Sequence, residues 1–165
     1  MIIEDPIHQF LDSFCVAGIN YRKSDISIRG KFSLLPEHSI SLLDQAVQKR
    51  FPGCMVLSTC NRTEIYGICD HPNRLIEMLC IHTHGNLKDF VDHGYQYMGL
   101  ATVEHLFKVA AGLDSQIIGD YEILSQLKLA AKQSKEHFCL NSFMERVVNF
   151  SLQSSKEIKT KTKLS

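Results

Sequence analysis

Two apolar, strand-like runs, Cys54 to Ser58 and Glu64 to Cys69, are separated by a short polar stretch that contains Cys60. Asn61 tolerates the left-handed backbone conformation that tight turns require, so we predict a hairpin with Cys60 and Asn61 at its tip. A buried structural cysteine is inert, whereas a cysteine at a turn beside a guanidinium, here that of Arg62, can ionise and act as a nucleophile. The hairpin therefore constrains the fold and makes Cys60 a candidate catalytic residue.

The order of the surrounding elements predicts the fold class. The run Phe14 to Asn20 is a predicted strand, and Pro36 begins a helix. After the hairpin, Pro72 begins a second helix, and the glycine-flanked run Tyr95 to Met98 is a weaker strand. The order β-α-β-β-α-β, over about residues 12–99, matches the ferredoxin-like α+β unit, in which helices pack on one face of an antiparallel sheet.

Apolar residues at helical spacing predict the buried faces of the helices. Additional helices are predicted over about residues 101–138, followed by the start of a last helix at residue 143. The predicted buried positions, helix by helix, are Ile40, Leu43 and Val47; Leu75, Ile76, Leu79 and Cys80; Val103, Leu106, Phe107 and Ala110; Ile123, Leu124, Leu127 and Ala131; and Phe143, Val147, Phe150 and Ile158.

The tail from Lys156 to Ser165 has no glycine, proline or asparagine that would end the last helix. We therefore expect residues 1–142 to form one catalytic domain, and residues 143–165 to begin a linker helix that continues into a further part of the protein. The alternative is a frayed basic tail.

Composition excludes several classes of protein. The 165 residues carry a formal net charge of zero, so no global charge indicates a nucleic-acid or membrane partner. No run approaches the roughly 18 apolar residues of a membrane span, and the start lacks the regions of a secretory signal. The six cysteines form no CxxC pair, which favours reduced thiols in a cytoplasmic protein without a metal site.

His105 is the second candidate catalytic residue, because it lies near the edge of an apolar helix face and could serve in acid-base chemistry. Most histidines in such places are surface residues or satisfied core residues. The segment from Gly112 to Asp120 is either a helix stop and N-cap or a place where helix ends hold a small polar ligand. The chain has neither a GxGxxG nor a GxxxxGK[ST] motif.

Two motifs carry a resemblance to a known family. The run Ser58-Thr59-Cys60-Asn61-Arg62-Thr63-Glu64 resembles the signature of glutamyl-tRNA reductase, the first enzyme of the C5 route to tetrapyrroles. The run from His105 to Ser115 resembles its second signature, and Ser27-Ile28-Arg29 resembles part of the helix after its first strand. The tail resembles the start of the long helix that leads to the family's other domains.

The resemblance implies a mechanism. The thiolate of Cys60 attacks the ester carbonyl of glutamyl-tRNA and forms an enzyme-bound thioester, which hydride from NADPH reduces to glutamate-1-semialdehyde. The resemblance places NADPH on a domain absent from this chain and implies a homodimer through a C-terminal domain. It also implies possible channelling of the product to glutamate-1-semialdehyde aminomutase.

The resemblance also assigns residues. His105 matches a histidine important for activity, which polarises the carbonyl or steers the leaving group. Arg62 would pair with a substrate carboxylate. The full set of implied substrate-binding residues is Thr59, Asn61, Arg62, Ser115, Asp120, Tyr121, Glu122 and Gln126.

The run Asp120-Tyr121-Glu122 stands where the family usually has Glu-Pro-Gln, and Lys108 stands where arginine is common, which puts the amino-group side of the substrate pocket in doubt. Two other functions stay open. One is a stand-alone thiol esterase or acyltransferase that uses Cys60 and His105. The other is a module without catalytic activity that binds the end of an aminoacyl-tRNA or a partner protein.

Overall fold

The computed structural model describes residues 6–114 and 122–162. Its four strands are β1 (Phe14–Asn20), β2 (Cys54–Ser58), β3 (Arg62–Ile68) and β4 (Tyr95–Met98). They form one sheet in the order β2-β3-β1-β4, in which all neighbours are antiparallel. This is the strand order of a ferredoxin-like unit, so the predicted fold class is confirmed.

The described helices are α1 (Pro6–Leu11), α2 (Ile26–Lys31), α3 (Pro36–Gln48), α4 (Asn73–His82), α5 (Leu87–His93), α6 (Leu100–Ala110), α7 (Glu122–Glu136) and α8 (Ser142–Thr162). Helices α1 and α5 were not predicted from the sequence. The latter is short and begins at the N-cap Asn86, whose side chain accepts a hydrogen bond from the N–H of Asp89 at 2.8 Å. None of the helices formed by the described residues combines the length and the apolar character that a membrane crossing requires.

The two faces of the sheet are both covered. Cys15, Ala17 and Ile19 of β1 belong to the apolar cluster under α3 and α4, which we call the first face. Phe14 and Val16 belong to the cluster under α6, α7 and α8, which we call the second face. All seven residues of β1 and of β3 are therefore buried. The helices of the ferredoxin-like unit cover the first face, and the additional helices cover the second.

Several predicted helix faces are rotated relative to the observed ones. In α3 the buried residues include Leu42, Leu43 and Ala46, whereas Val47 is exposed. In α8 the core side chains are Phe143, Met144, Val148 and Leu152, whereas Phe150 and Ile158 are exposed. The first half of α8 is therefore built into the core. The predicted domain boundary at residue 142 stays a prediction.

Small residues explain the rotation in α8. Ser151 and Ser155 are buried, and the Ser155 hydroxyl donates a hydrogen bond to the carbonyl of Ala110 in α6 at 2.7 Å. A serine that bonds to the neighbouring backbone allows close helix packing, so the large apolar residues do not mark the buried face. His105 lies on the buried face of α6, not near its edge as predicted.

The register of the sheet places a group of polar residues together. Gly18 of β1 lies opposite Glu64 of β3 on one side and opposite Tyr95 of β4 on the other. A Cβ atom at Gly18 would lie 2.8 Å from the Tyr95 hydroxyl and 2.9 Å from Cγ of Glu64. Because glycine leaves this space open, the side chains of Glu64 and Tyr95 can meet across β1.

Candidate active site

Cys60 lies at the tip of the β2–β3 hairpin, as predicted, and it is the exposed thiol among the six free cysteines. Three hydrogen bonds hold the loop: Thr59 N–H to the Arg62 carbonyl (2.8 Å), Asn61 N–H to Thr59 Oγ1 (3.1 Å), and Tyr21 N–H to the Asn61 carbonyl (3.0 Å). The loop therefore presents the Cys60 sulfur to solvent on a fixed backbone.

The prediction that a left-handed Asn61 forms the turn between β2 and β3 was wrong. Within the described part of the chain, Arg50 and Phe138 are the only non-glycine residues with positive φ. Asn61 consequently does not adopt the left-handed conformation. The hydroxyl of Thr59 and the backbone of Tyr21 stabilise the loop instead.

A cavity of about 490 Å³ opens beside the thiol, and we call it the Cys60 cavity. Two guanidinium-bearing residues, Arg29 and Arg62, line it, and no acidic residue does so among the described residues. The other lining residues are Ile19, Ile26, Gly30, Ser33, Thr59, Cys60, Asn61 and Thr63. A small cavity of about 20 Å³ on the other side of the loop brings Glu122 and Gln126 of α7 next to Thr59 and Cys60.

Three of the predicted substrate-binding residues, Ser115, Asp120 and Tyr121, lie outside the described residues. The structure brings the other five together around the hairpin tip, since Thr59, Asn61, Arg62, Glu122 and Gln126 all line cavities that Cys60 also lines. Their predicted role as substrate ligands stays a prediction.

Arg62 is already paired with protein groups. Its Nη1 lies 3.2 Å from Oδ2 of Asp114 and 3.4 Å from Oε2 of Glu64, and its Nη2 donates to the carbonyl of Asp114. The side chain of Arg62 is buried. A substrate carboxylate that pairs with Arg62 must therefore compete with Asp114, the more exposed of its two acidic partners.

Glu64 is the centre of the buried polar network. Its Oε1 accepts a hydrogen bond from Tyr66 (2.9 Å), and its Oε2 accepts from Arg62, Tyr95 and His105. Burial alone would raise the pKa of Glu64, yet the charge and hydrogen bond of His105 and the charge of Arg62 lower it to about 2. Glu64 is thus a carboxylate at neutral pH, with four donors around it.

This donor count fixes the proton on His105. Burial, followed by the charge of Glu64, raises the pKa values of Tyr66 and Tyr95, so both hydroxyls stay protonated and donate. A carboxylate can only accept, so His105 Nε2 must carry a proton when it bonds to Glu64. Nδ1 is therefore the ring nitrogen that does not bond to Glu64.

His105 lies between two tyrosine rings, with centroid distances of 5.3 Å to Tyr95 and 5.2 Å to Tyr97. It lines a second cavity, of about 520 Å³, together with Asp114 and Arg22, whose Nε lies 3.0 Å from Asp114 Oδ1. Within the described part of the chain, His105 and Cys60 form no hydrogen bond with each other and line different cavities. The pair between Arg62 and Asp114 joins the residues of the two cavities.

Sequence reasoning missed Glu64, Tyr95 and Asp114 as members of this site. One signal was present: Arg62 and Glu64 are charged residues at alternate positions of an otherwise apolar strand, and therefore share one face. Charged residues are almost never fully buried unless they are paired. Glu64 and Arg62 in a strand with such apolar neighbours therefore indicated a paired, buried site.

The arrangement provides an exposed thiol on a rigid loop, a cavity beside it whose lining includes Arg29 and Arg62, and a histidine whose protonated nitrogen is fixed by a buried carboxylate. These are the parts of a site for nucleophilic attack on a carbonyl group that carries, or lies near, negative charge.

Comparisons with known proteins show similarity along most of the chain. Residues 17–162 match the family model described as glutamyl-tRNAGlu reductase, N-terminal domain. The chain is 49% identical over 152 residues to the glutamyl-tRNA reductase of Christiangramia forsetii, covering 92% of this chain and 36% of that protein. It is 49% identical over 154 residues to the glutamyl-tRNA reductase of Flavobacterium psychrophilum, covering 93% of this chain and 37% of that protein.

A solved structure shares the fold. The glutamyl-tRNA reductase from Methanopyrus kandleri superimposes with a TM-score of 0.77 at 22% identity, covering 91% of this chain and 35% of that one. The chain thus spans a little over a third of the length of the curated relatives that it matches.

Proposed function

Because this chain belongs to the family of glutamyl-tRNA reductase N-terminal domains, we propose that it carries the thioester-forming half of a glutamyl-tRNA reductase. One observation carries the proposal: the exposed Cys60 thiol stands on a fixed hairpin loop beside a cavity that Arg29 and Arg62 help to line. The cationic lining suits the negative charge that the glutamyl side chain and the RNA bring to the site.

The first step is acyl transfer. The Cys60 thiolate attacks the ester carbonyl of glutamyl-tRNA, a carbon–sulfur bond forms, and the bond from the carbonyl carbon to the ribose oxygen breaks. The electron pair leaves with that oxygen, which takes a proton and releases tRNA. The glutamyl group remains on sulfur as a thioester. The lone pair of sulfur overlaps poorly with the π system of the carbonyl group. The thioester therefore accepts hydride more readily than the ester does.

Arg62 and His105 have separate roles in this proposal. Arg62 binds the substrate carboxylate in exchange for Asp114, while its bond to Glu64 keeps the guanidinium in place. His105 and Cys60 line different cavities, so we assign His105 to the leaving ribose oxygen or the carbonyl and not to deprotonation of the thiol. Nδ1 is the ring nitrogen that can reach a substrate, because Nε2 bonds to Glu64.

The remaining substrate contacts follow from the family motifs. We propose that Thr59, Asn61 and Gln126 surround the glutamyl group and that Glu122 interacts with its ammonium group. The proposal extends to Ser115, Asp120 and Tyr121, which complete the set of expected substrate ligands.

The described residues do not fit the reducing cofactor. The four-stranded sheet is antiparallel throughout, whereas dinucleotides bind at the βαβ units of parallel sheets. We therefore assign acyl transfer alone to this chain, and we place NADPH in a part of the protein beyond it. Dimerisation through a C-terminal domain and transfer of the product to glutamate-1-semialdehyde aminomutase are proposals for the whole protein.

The test is mass spectrometry of the chain after exposure to glutamyl-tRNA. We expect a glutamyl adduct on the Cys60 peptide, slow release of glutamate, and no semialdehyde even with NADPH present. Cys60→Ser should remove the adduct, whereas the control Cys80→Ser, which changes a partly buried thiol outside the site, should retain it. Absence of the adduct in the parent chain would reject the proposal and favour the binding module. Transfer of the acyl group to water at a rate that sustains rapid turnover would favour the esterase.

A further inference from the structure

Arg29 lies in the short helix α2 and lines the Cys60 cavity. Its Nη1 donates to the carbonyl of Ser24 at 2.7 Å, which holds the guanidinium against the chain. Its Nε is buried and has no hydrogen-bond partner among the residues that the structure describes. A buried donor without an acceptor is rare in folded proteins and costs free energy, so such an atom calls for an explanation.

The charge environment of Arg29 differs from that of Arg62. Arg62 pairs with the carboxylates of Glu64 and Asp114. Arg29 forms no ion pair with any described residue. The cavity that the two arginines share is lined by no described acidic residue. Arg29 is thus the guanidinium beside Cys60 whose charge the described residues leave uncompensated.

We propose that Arg29 binds an oxyanion of the substrate and holds it beside the Cys60 thiol. The N–H groups of a guanidinium form a planar fork that matches the two oxygens of a carboxylate or a phosphate. This inference depends on the function proposed above, since glutamyl-tRNA offers both groups: the side-chain carboxylate of its glutamate and the phosphates of its RNA end. Arg29 would then be a substrate-binding residue in addition to those that the motifs indicate.

The first experiment needs no tRNA. Iodoacetate and iodoacetamide alkylate the same thiol and differ in charge, so their rate ratio at Cys60 reports an oxyanion site next to the sulfur. We expect Arg29→Gln to lower that ratio roughly tenfold, the scale of one charge-assisted hydrogen bond. The matched control Lys31→Gln removes a charge from the same helix. It should leave the ratio unchanged, because Lys31 pairs with Asp89 and does not line the Cys60 cavity.

Two further measurements distinguish the loss of an oxyanion site from misfolding of the Arg29→Gln variant. Arg29→Lys keeps the charge and loses the fork, and we expect it to give an intermediate ratio. In the parent chain, inorganic phosphate should slow the reaction with iodoacetate more than the reaction with iodoacetamide. An iodoacetate-to-iodoacetamide ratio that is the same in the parent and in Arg29→Gln, with no selective effect of phosphate, would overturn the proposal whether or not the chain forms a thioester.

The source of the oxyanion is then identified with two substrates. Glutamyl-tRNA and 3′-O-glutamyl adenosine share the glutamate carboxylate, but the second lacks phosphate. If Arg29→Gln slows thioester formation about tenfold with both, the ligand is the carboxylate. A loss confined to glutamyl-tRNA identifies an RNA phosphate. Equal rates for Arg29→Gln and the parent chain with both substrates would reject Arg29 as a substrate-binding residue and leave the proposed acyl transfer intact.

Discussion

The two faces of the sheet bury different chemistry. The first face, under α3 and α4, combines apolar side chains with four buried thiols, those of Cys15, Cys54, Cys69 and Cys139. The second face, under α6 to α8, combines an apolar cluster with the buried Glu64, Arg62 and His105. Both faces exclude water, yet only the second contains buried ionic groups among the described residues.

The difference between the faces indicates which part of the fold provides stability and which part positions the site. Strand β3 contributes to both faces, because its side chains alternate between them. Its residues toward the first face fix the hairpin on the core, and its residues toward the second face, Arg62 and Glu64, form the polar network behind the loop. We infer that the first face sets stability, and that the second sets the orientation of groups near the reacting thiol.

Glu64→Gln should lower the unfolding free energy more than any other substitution considered for the two faces. The amide of glutamine cannot accept four hydrogen bonds, and its NH₂ group would face other hydrogen-bond donors. Removing one member of a buried ionic group typically costs about 3–5 kcal/mol of unfolding free energy. The substitution should also slow thioester formation, since the proton on His105 Nε2 loses its fixed acceptor. Urea unfolding and ¹⁵N shifts of the imidazole measure the two effects. The control Tyr66→Phe removes one donor and should cost about 1 kcal/mol.

The unfolding free energy at acidic pH gives a second test of Glu64. The pKa of Glu64 falls from its usual 4.5 to about 2 on folding, so its contribution is complete above pH 4.5 and is lost as the pH falls toward 2. The shift corresponds to about 3 kcal/mol. Glu64→Gln should therefore flatten the stability curve between these pH values. An unchanged slope would mean that Glu64 is not the carboxylate that titrates there.

Leu43→Ala tests the first face. Leu43 is fully buried in the first-face cluster, and truncation of such a residue leaves a cavity that costs about 2–5 kcal/mol. We expect the unfolding free energy to fall by that amount, with the rate of thioester formation unchanged at temperatures where the variant is folded. A loss of rate as large as that of Glu64→Gln would show that the two faces are not separate in function.

The strand order of the fold was predictable, because proline and glycine delimit the runs and the apolar strands are short and well separated. It was not predictable from the sequence that helices cover both faces of the sheet. A strand such as β1, with the sequence FCVAGIN, has no polar side to distinguish one face from the other. Similarly, the buried stripe of α8 depends on Ser151 and Ser155, which carry no hydrophobic signal.

The candidate site was predictable in part for the same kind of reason. The motif around Cys60 is local, and the structure places the thiol at the predicted hairpin tip. The Glu64 network depends on contacts between residues 31 and 41 positions apart, from Glu64 to Tyr95 and from Glu64 to His105. Strand register and helix packing create these contacts, and no periodicity in the sequence encodes them. Arg29 was hidden because its short helix brings it to the Cys60 cavity only in the folded chain.

Cys60 belongs to neither face, so its substitution should have the smallest effect on stability. Its side chain is exposed, and we expect Cys60→Ser to change the unfolding free energy by at most about 0.5 kcal/mol. Its reactivity should nevertheless exceed that of the first-face thiols. The hydrogen bonds within the pairs Cys15–Cys69 and Cys54–Cys139 raise the pKa of Cys15 and Cys54 and lower the pKa of Cys69 and Cys139, so the pKa does not rank these thiols as a group. All four are buried, whereas Cys60 is exposed, and exposure decides which thiol a reagent reaches. Peptide mapping after limited iodoacetamide should therefore find Cys60 labelled first. If a first-face thiol reacts before Cys60, that face opens to solvent faster than the structure implies, and the contrast between a closed structural face and an exposed reactive loop does not hold.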